Sequence, residues 1–308
     1  MNTRIISINP SAFLDEELSL AGKTIASGGL VAFPTETVYG LGASALSGDA
    51  CDRVFFAKGR PHDNPLIVHV LDPDDCQKYA TIHEKSLFYT LADRFMPGPL
   101  TIVLPKKDII PNSVTVGLST VALRCPSHPI ARALIRVSKV PIAAPSANLS
   151  GKPSPTVAEH VISDMNGRID MILDGGPCQV GLESTVIALK GDAIHLLRPG
   201  YVTAEDLLSV TDNVVVSPAV LASLAPGDNP ESPGMKYRHY APSSPVRRTT
   251  RALDLSWQRR IFSASLLFPQ ISPDLAPSCK RMVERWLATP PQAYWRVCIC
   301  LKTVRFRL

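Results

Sequence analysis

The sequence has few aromatic residues, no paired-cysteine motif and no long apolar run. Aromatic residues make up 6% of the 308 residues, and no apolar run approaches the ~18 residues that a membrane-spanning helix needs. The seven cysteines include no C-x-x-C pair, which argues against a zinc site or a disulfide framework and predicts reduced, buried thiols. The N-terminus lacks the apolar core of a signal peptide. A cytoplasmic protein without a membrane partner is therefore expected.

Two fingerprints of nucleotide binding are also missing. The sequence contains neither G-x-x-x-x-G-K-[ST] nor a strand followed by G-x-G-x-x-G, so any phosphate site must be built from other loops. It also lacks a nucleophile elbow and an ordered Ser-His-Asp set. Its loop hydroxyls are therefore expected to hold a ligand rather than to act as nucleophiles.

Glycine and acidic residues are scarce in the last part of the chain. All 18 glycines precede residue 243, whereas the three tryptophans follow it. Residues 1–242 contain 20 Lys and Arg against 24 Asp and Glu, a net charge of −4, and residues 243–308 contain 12 against 3, a net charge of +9. The overall net charge of +5 therefore gives no support for a nucleic-acid partner of the larger part.

The first 242 residues alternate short apolar runs with amphipathic stretches, which predicts a layered α/β domain with one twisted sheet. Strands are predicted at 30–33, 66–71, 100–104, 121–123, 141–144, 171–173, 185–189 and 194–197. Helices are predicted at 11–26, from an N-cap at Asp49 through Phe56, at 73–80, 83–95, 129–137 and 156–165, and after an N-cap at Thr203. Consecutive strands between 171 and 197 favour antiparallel pairs and hence a mixed sheet.

Five clusters of hydroxyl, basic and small residues follow these predicted elements. They occupy residues 34–42, 58–65, 119–126, 144–154 and 174–200. Lys58 and Arg60 supply cationic donors for phosphate or carboxylate, and Arg124 is either a buried ion-pair partner or an anion clamp. Each cluster alone could be a polar turn or a solvated helix end. Together they favour binding of an anionic substrate over hydrolysis by paired carboxylates.

In their order along the chain, these motifs resemble the YrdC/Sua5 family, the threonylcarbamoyl-AMP synthases. The resemblance covers roughly residues 10–242 and rests on Pro34–Gly42, Lys58–Leu66, Pro97–Thr101, Arg124–Pro126, Ala144–Gly151, Leu182–Thr185 and Arg198–Gly200. It implies a YrdC/RibB-like twisted mixed sheet flanked by helices in a catalytic domain over residues 1–222. It further implies an interdomain linker with a lid motif over 223–242. Residues 243–308 do not read as the family's second, Rossmann-like domain, and we expect an atypical, poorly ordered basic tail there. The alternative is a diverged small domain.

The resemblance implies a nucleotidyltransferase that forms L-threonylcarbamoyl-adenylate and pyrophosphate from L-threonine, bicarbonate or CO2, and ATP. Mg²⁺ is expected to accompany ATP, with no resident metal. The product would pass to the complex that makes N6-threonylcarbamoyladenosine at position 37 of tRNAs reading ANN codons, with at most weak direct binding of tRNA. Two other functions stay open: a non-catalytic module that binds double-stranded RNA or tRNA, and carbamoyl transfer of the kind used in hydrogenase maturation.

The resemblance also assigns site residues. Lys58 and Arg60 are the implied catalytic residues. The implied ATP contacts are Lys58, Arg60, Asn64, Thr120, Ser146, Asn148, Ser154, Arg198 and Tyr240, the last as a lid over the nucleotide. The implied threonine contacts are Thr37, His69, Arg124 and Ser184, with Arg124 holding the carboxylate. Ala144 stands where many relatives have threonine, so one hydroxyl contact to the amino acid is expected to be missing.

Overall fold

A computed structural model of the protein describes residues 2–217 together with Val220. Its strands are β1 (Arg4–Ser7), β2 (Val31–Phe33), β3 (Gly40–Ser44), β4 (Ile67–His69), β5 (Leu100–Pro105), β6 (Thr120–Arg124), β7 (Ile142–Ala143), β8 (Met171–Asp174), β9 (Thr185–Lys190), β10 (Ala193–Arg198) and β11 (Val214–Val216). Its α-helices are α1 (Ser19–Ala26), α2 (Gly48–Lys58), α3 (Cys76–Tyr79), α4 (Lys85–Phe95), α5 (Asn112–Thr115), α6 (Pro129–Ser138), α7 (Ala158–Met165) and α8 (Ala204–Leu208).

The strands form one mixed sheet in the order β1-β8-β2-β3-β7-β4-β6-β5-β9-β10-β11, which confirms the predicted α/β class. The antiparallel pairing predicted near residues 171–197 holds for β9 with β10. It is wrong for β8, which pairs in parallel with both β1 and β2. β8 lies in the other half of the sheet because the segment before β9 crosses over several strands.

Helices cover the sheet over two apolar clusters. α1 and α6 pack on each other over Phe33 and Leu173, and the larger cluster includes Phe55 of α2 and Phe88 of α4. A third, small cluster includes Ala122 and lies on the face of the central strands opposite to the larger cluster. Side chains alternate between the two faces of a strand. Residues of β6 therefore alternate between the larger core and the face that carries the candidate site.

The sequence did not predict β1, β3 or β11. β3 is central, but its glycines are unfavourable in strands by propensity. A Cβ added at Gly42 would lie 2.7 Å from Cγ2 of Ile142 and 2.8 Å from the Phe33 ring, so the close approach of neighbouring side chains requires glycine. The glycines that indicated a turn are thus needed for tight packing inside the sheet.

Two predicted helix starts were wrong. The helix predicted from residue 11 begins with a 3₁₀ turn at Asp15–Leu18 and becomes α-helical at Ser19. The N-cap of α2 is Ser47, whose Oγ accepts the Ala50 N–H at 3.3 Å, and Asp49 lies in the first turn. A carboxylate there still interacts favourably with the helix dipole. Within the described part of the chain, no helix has the length and apolar character to cross a membrane.

Candidate amino-acid and nucleotide site

Three neighbouring strands bring polar side chains into one row across the sheet. His69 on β4 pairs with Arg124 on β6, which in turn pairs with Thr101 on β5. Side chains at paired positions of adjacent strands point to the same face. All three residues are buried. The sheet therefore places an imidazole, a guanidinium and a hydroxyl side by side on one face.

Arg124 forms a buried ion pair with Glu36. The Nη2 atom of Arg124 donates to Glu36 Oε1 at 2.7 Å and to Thr37 Oγ1 at 2.9 Å, and both charged side chains are 5% exposed. Glu36 Oε2 accepts the Ser127 N–H at 3.1 Å. Burial raises the pKa of Glu36, but the charge and hydrogen bond of Arg124 outweigh it and hold that pKa below its usual value. Glu36 is therefore ionised at neutral pH.

One nitrogen of the Arg124 guanidinium is buried without an acceptor. Both Nη2 hydrogens serve Glu36 and Thr37, while Nε has no hydrogen-bond partner among the described residues. A buried donor left unsatisfied costs about 1–3 kcal/mol. Because guanidinium groups match carboxylates in geometry and charge, this nitrogen is a candidate contact for an anionic ligand group.

The hydroxyl of Thr37 is oriented by its neighbours. Thr35 Oγ1 donates its hydrogen to the Val38 carbonyl at 2.6 Å, so the 2.9 Å contact between Thr35 and Thr37 uses the Thr37 hydrogen. Each hydroxyl has only one hydrogen to donate. Thr37 therefore presents only acceptor capacity to a ligand, which suits an amine rather than a carboxylate.

Ser184 joins the row through Thr101. The two hydroxyl oxygens lie 2.7 Å apart, and Arg198 Nη2 donates to the Ser184 carbonyl at 2.6 Å and to Ser184 Oγ at 3.1 Å. The predicted contacts Ser184 and Arg198 therefore lie together. Thr101 belongs to one of the motifs that carried the resemblance but was assigned no role.

His69 is a neutral member of the row. Burial, and then the nearby positive charge of Arg124, lower the pKa of His69 to about 3. Its Nδ1 lies 3.2 Å from the Ile67 carbonyl, and its ring packs edge-on against Phe33. A neutral imidazole adds polarity at this end of the sheet without adding charge.

Lys58 holds together the loop after β7. It ends α2, is buried, and donates from Nζ to the Ser146 carbonyl, to the Asn148 carbonyl at 2.7 Å and to Asn148 Oδ1 at 3.4 Å. Burial, and then the charge of Arg60, lower the pKa of Lys58 to about 7. Three oxygens of Ser146 and Asn148 thus converge on the Lys58 side-chain nitrogen. Lys58 and residues 144–154, the Lys58 loop, therefore form a single unit.

The amide of Asn148 is fully hydrogen-bonded inside this loop. Its Oδ1 accepts from Ser146 Oγ at 2.5 Å and from Lys58, and its Nδ2 donates to the carbonyls of Leu149 and Lys152 at 2.9 and 2.7 Å. An amide side chain has two donors and two acceptor lone pairs. In this conformation Asn148 shapes the loop with its entire hydrogen-bonding capacity.

The remaining predicted ATP contacts are spread over other parts of the chain. Arg60 Nη2 donates to the Asn64 carbonyl at 2.6 Å, and its guanidinium carbon lies 5.5 Å from the centre of the Phe55 ring. Thr120 begins β6 on the same face as Arg124, four residues and therefore about 13 Å away. Ser154 is buried, and Tyr240 lies outside the described residues.

The Pro34–Gly42 segment connects the two groups of residues. The Tyr39 N–H donates to the Pro155 carbonyl at 2.9 Å, and its carbonyl accepts the Ala147 N–H at 2.8 Å. The Leu41 N–H donates to the Pro145 carbonyl at 2.8 Å. Thr37, which accepts a hydrogen bond from Arg124, is thus only two residues from Tyr39 and its contacts with the Lys58 loop. The structure therefore links the residues around Arg124 to the Lys58 loop through the Pro34–Gly42 segment.

Comparison with known proteins identifies the family. The Sua5/YciO/YrdC model, described as "Telomere recombination", matches residues 23–200. The curated threonylcarbamoyl-AMP synthase of Pyrococcus abyssi is 51% identical over 243 residues, covering 78% of this chain and 70% of that protein. The chain belongs to the Sua5/YciO/YrdC family.

Other relatives agree with this membership. The threonylcarbamoyl-AMP synthase of Bacillus subtilis is 50% identical over 234 residues, which cover 75% of this chain and 66% of that protein. The solved structure described as P. abyssi Sua5 complexed with L-threonine is 49% identical, with a TM-score of 0.75, covering 79% of this chain and 70% of that one. These family members are nucleotidyltransferase-type enzymes.

A second family model reaches beyond the described residues. The model described as "Threonylcarbamoyl-AMP synthase, C-terminal domain" matches residues 202–275. This match includes the predicted linker and extends into the segment from 243 that we predicted as an atypical tail. The predicted boundaries at 222 and 242 and the predicted disorder lie outside the described residues and stay predictions.

Two carboxylates of the site were missed as functional groups. Glu36 lies in the Pro34–Gly42 motif, but its pairing with Arg124 spans 88 residues. Asp164 on α7 accepts the Leu149 N–H at 3.1 Å and pairs with Lys152 at 2.7 Å, so it anchors the Lys58 loop from outside. In neither case does local sequence reveal the partner.

Proposed function

We propose that the protein forms L-threonylcarbamoyl-adenylate and pyrophosphate from L-threonine, bicarbonate or CO2, and ATP. The observation that carries the proposal is the buried Arg124 guanidinium, whose unpartnered Nε lies beside the acceptor-only hydroxyl of Thr37. Arg124 Nε can donate to a carboxylate, and Thr37 Oγ1 can accept from an amine. A ligand that carries both groups is an amino acid. The threonine complex of the P. abyssi relative supports this choice of amino acid.

The nucleotide would lie between the Lys58 loop and the start of β6. We assign the ATP phosphates to Lys58, Arg60 and Asn64, with further contacts from Thr120, Ser146, Asn148, Ser154, Arg198 and Tyr240. Lys58 and Asn148 would each exchange a hydrogen bond within the loop for one to the nucleotide. Among the described residues, no group of three His, Cys, Asp or Glu side chains could hold a metal ion. Mg²⁺ retains several water ligands and is commonly bound through substrate phosphates. It would therefore enter with ATP.

The proposed reaction has two bond-forming steps. Bicarbonate accepts a proton from the threonine ammonium group and gives CO2 and water. The free amine then attacks CO2 and releases its second proton to solvent, giving a carbamate. A carbamate oxygen then attacks the α-phosphorus of ATP as the bond to pyrophosphate breaks. His69, with a pKa of about 3, and Glu36, with a lowered pKa, are both too acidic to be efficient general bases at neutral pH. Lys58, whose pKa is about 7, is engaged by three oxygens of its own loop. We therefore assign the site's contribution to positioning and charge neutralisation.

The test is release of pyrophosphate from ATP by the full chain. We expect release to require both L-threonine and bicarbonate, and Arg124→Met and Lys58→Ala to reduce it strongly. Asp108→Asn, on an exposed loop residue, serves as the matched control. Release that needs carbamoyl phosphate in place of threonine would support the carbamoyl-transfer alternative. Absence of release together with tight RNA binding would support the RNA-binding alternative.

The cellular role follows from the product. A threonylcarbamoyl adenylate is an activated acyl donor, so a tRNA threonylcarbamoyl-transfer complex would consume it to modify adenosine 37 of tRNAs reading ANN codons. We propose that this occurs in the cytoplasm. Addition of such a complex and unmodified tRNA should convert the product to modified tRNA, and a chain that releases pyrophosphate without supporting modification would contradict this assignment.

A further inference from the structure

A buried anion lies directly against the cation assigned to the amino-acid carboxylate. Glu36 is 3% exposed and contacts Arg124 at 2.7 Å. Its second oxygen accepts the Ser127 N–H at 3.1 Å, so the carboxylate is fixed on two sides. The Glu36–Arg124 pair as a whole carries no net charge, although Arg124 alone would attract any carboxylate.

A ligand carboxylate at Arg124 Nε would lie close to Glu36. Nε and Nη2 are bonded to the same guanidinium carbon, and each hydrogen bond adds about 3 Å. The ligand carboxylate and the Glu36 carboxylate would therefore lie within about 6 Å of each other, a range in which like charges interact strongly in buried surroundings. A compensating positive group on the ligand removes this repulsion.

We propose that Glu36 is a specificity-determining residue of the amino-acid site, whose negative charge admits a carboxylate only when the ligand also carries an ammonium group. The inference rests on the proposed function, because it places the amino acid at Arg124. A zwitterionic amino acid brings no net charge to a neutral pair. The 2-hydroxy acid of the same shape brings one negative charge that Glu36 repels directly, whereas the other cation of the row, Arg198, is engaged by the carbonyl and hydroxyl of Ser184.

Thr37 acts in the same direction as Glu36. Its hydroxyl hydrogen is directed to Thr35 and its oxygen already accepts from Arg124. It therefore offers no hydrogen to a second anion and one acceptor position to an N–H group. Charge and hydrogen-bond direction thus select together for an α-amino acid over other small carboxylates.

The test compares calorimetric binding of L-threonine and of the 2,3-dihydroxybutanoate of matching stereochemistry to the full chain. We expect the wild-type protein to prefer threonine by at least about tenfold, since the Glu36 carboxylate repels the carboxylate of the hydroxy acid. Glu36→Gln should reduce this preference about tenfold, because the direct repulsion between Glu36 and the second carboxylate is then removed. Glu159→Gln, which removes an exposed carboxylate from α7, should leave it unchanged.

Several results would overturn the proposal. An unchanged preference in Glu36→Gln, with both ligands weakened equally, would show that Glu36 only supports the fold. Equal binding of the two ligands by the wild-type protein would overturn the proposal even if Glu36→Gln fails to fold. Glu36→Asp retains the charge and should retain the preference. If Arg124→Met binds threonine as tightly as the wild type, the proposed location of the amino acid fails, which is a separate result.

Discussion

Removing Arg124 should destabilise the protein chiefly through the carboxylate it leaves behind. Arg124 Nη2 and Glu36 Oε1 lie 2.7 Å apart, and both side chains are 5% exposed. At an effective dielectric constant of 20, the attraction at that distance is about 6 kcal/mol, and losing one partner of a buried pair costs about 3–5 kcal/mol. We therefore expect Arg124→Met to lower the free energy of unfolding by about 3–5 kcal/mol at pH 7.

A double-mutant cycle separates this cost from lost packing. Glu36→Gln combined with Arg124→Met removes both charges and should recover at least about 2 kcal/mol relative to the sum of the single variants. The measurement is urea unfolding of the four proteins followed by circular dichroism. A coupling energy below about 0.5 kcal/mol would refute the reasoning, since independent sites are additive to that level.

The pH dependence of the cycle has a definite sign. In the wild-type protein the pKa of Glu36 is lowered, so its stabilisation is present above the unfolded pKa and is lost as pH falls through the folded one. In Arg124→Met the backbone hydrogen bonds still lower the pKa of Glu36, but burial, the largest single influence, raises it. The folded variant then binds a proton before the unfolded chain does. The difference in unfolding free energy between the wild type and Arg124→Met should therefore shrink between pH 7 and pH 5. An unchanged difference would contradict this account.

Three further predictions test the loop, the sheet and the C-terminal segment. Asp164→Ala removes the anchor of Leu149 and Lys152 and should weaken ATP binding about tenfold while leaving threonine binding unchanged, as calorimetry would show; a parallel loss of threonine binding would contradict a local role. Gly42→Ala should destabilise the sheet by about 1–3 kcal/mol because its Cβ meets Ile142 and Phe33, whereas Gly48→Ala, whose Cβ meets Ser113 Oγ at 3.3 Å, should cost less in thermal unfolding. Limited proteolysis should remove residues 243–308 first, and a protease-resistant fragment over about 245–308 would refute the predicted disorder.

Strands with continuous branched apolar residues were predictable, and the glycine-rich strand was not. Residues 66–71 and 100–104 contain β-favouring side chains, and both segments form strands, β4 and β5. β3 forms a strand although glycine has a low strand propensity. Gly42 is required there because its neighbours leave no room for a Cβ atom. That constraint comes from Phe33 and Ile142 after folding, so it is invisible in local propensity.

The site shows the same division. The family resemblance named Thr37, His69, Arg124 and Ser184, and the structure brings them together through β-sheet register and Thr101. The sequence left Arg124 open between an ion-pair partner and an anion clamp. The structure shows that Arg124 pairs with Glu36 through Nη2, while its Nε has no hydrogen-bond partner among the described residues. Which nitrogen is used depends on three-dimensional geometry, and no spacing rule could supply it.

The hydrogen bonds of the Arg124 row also constrain how the protein folds. Arg124 to Glu36 spans 88 residues, and Thr101 to Ser184 spans 83. Contacts of such separation close only after large loops have lost their entropy. The complete row includes residues from Glu36 to Arg198, so during synthesis it cannot form until β10 has emerged with Arg198. A ligand that contacts the whole row therefore binds only after the strands through β10 have assembled, and its binding stabilises that folded state.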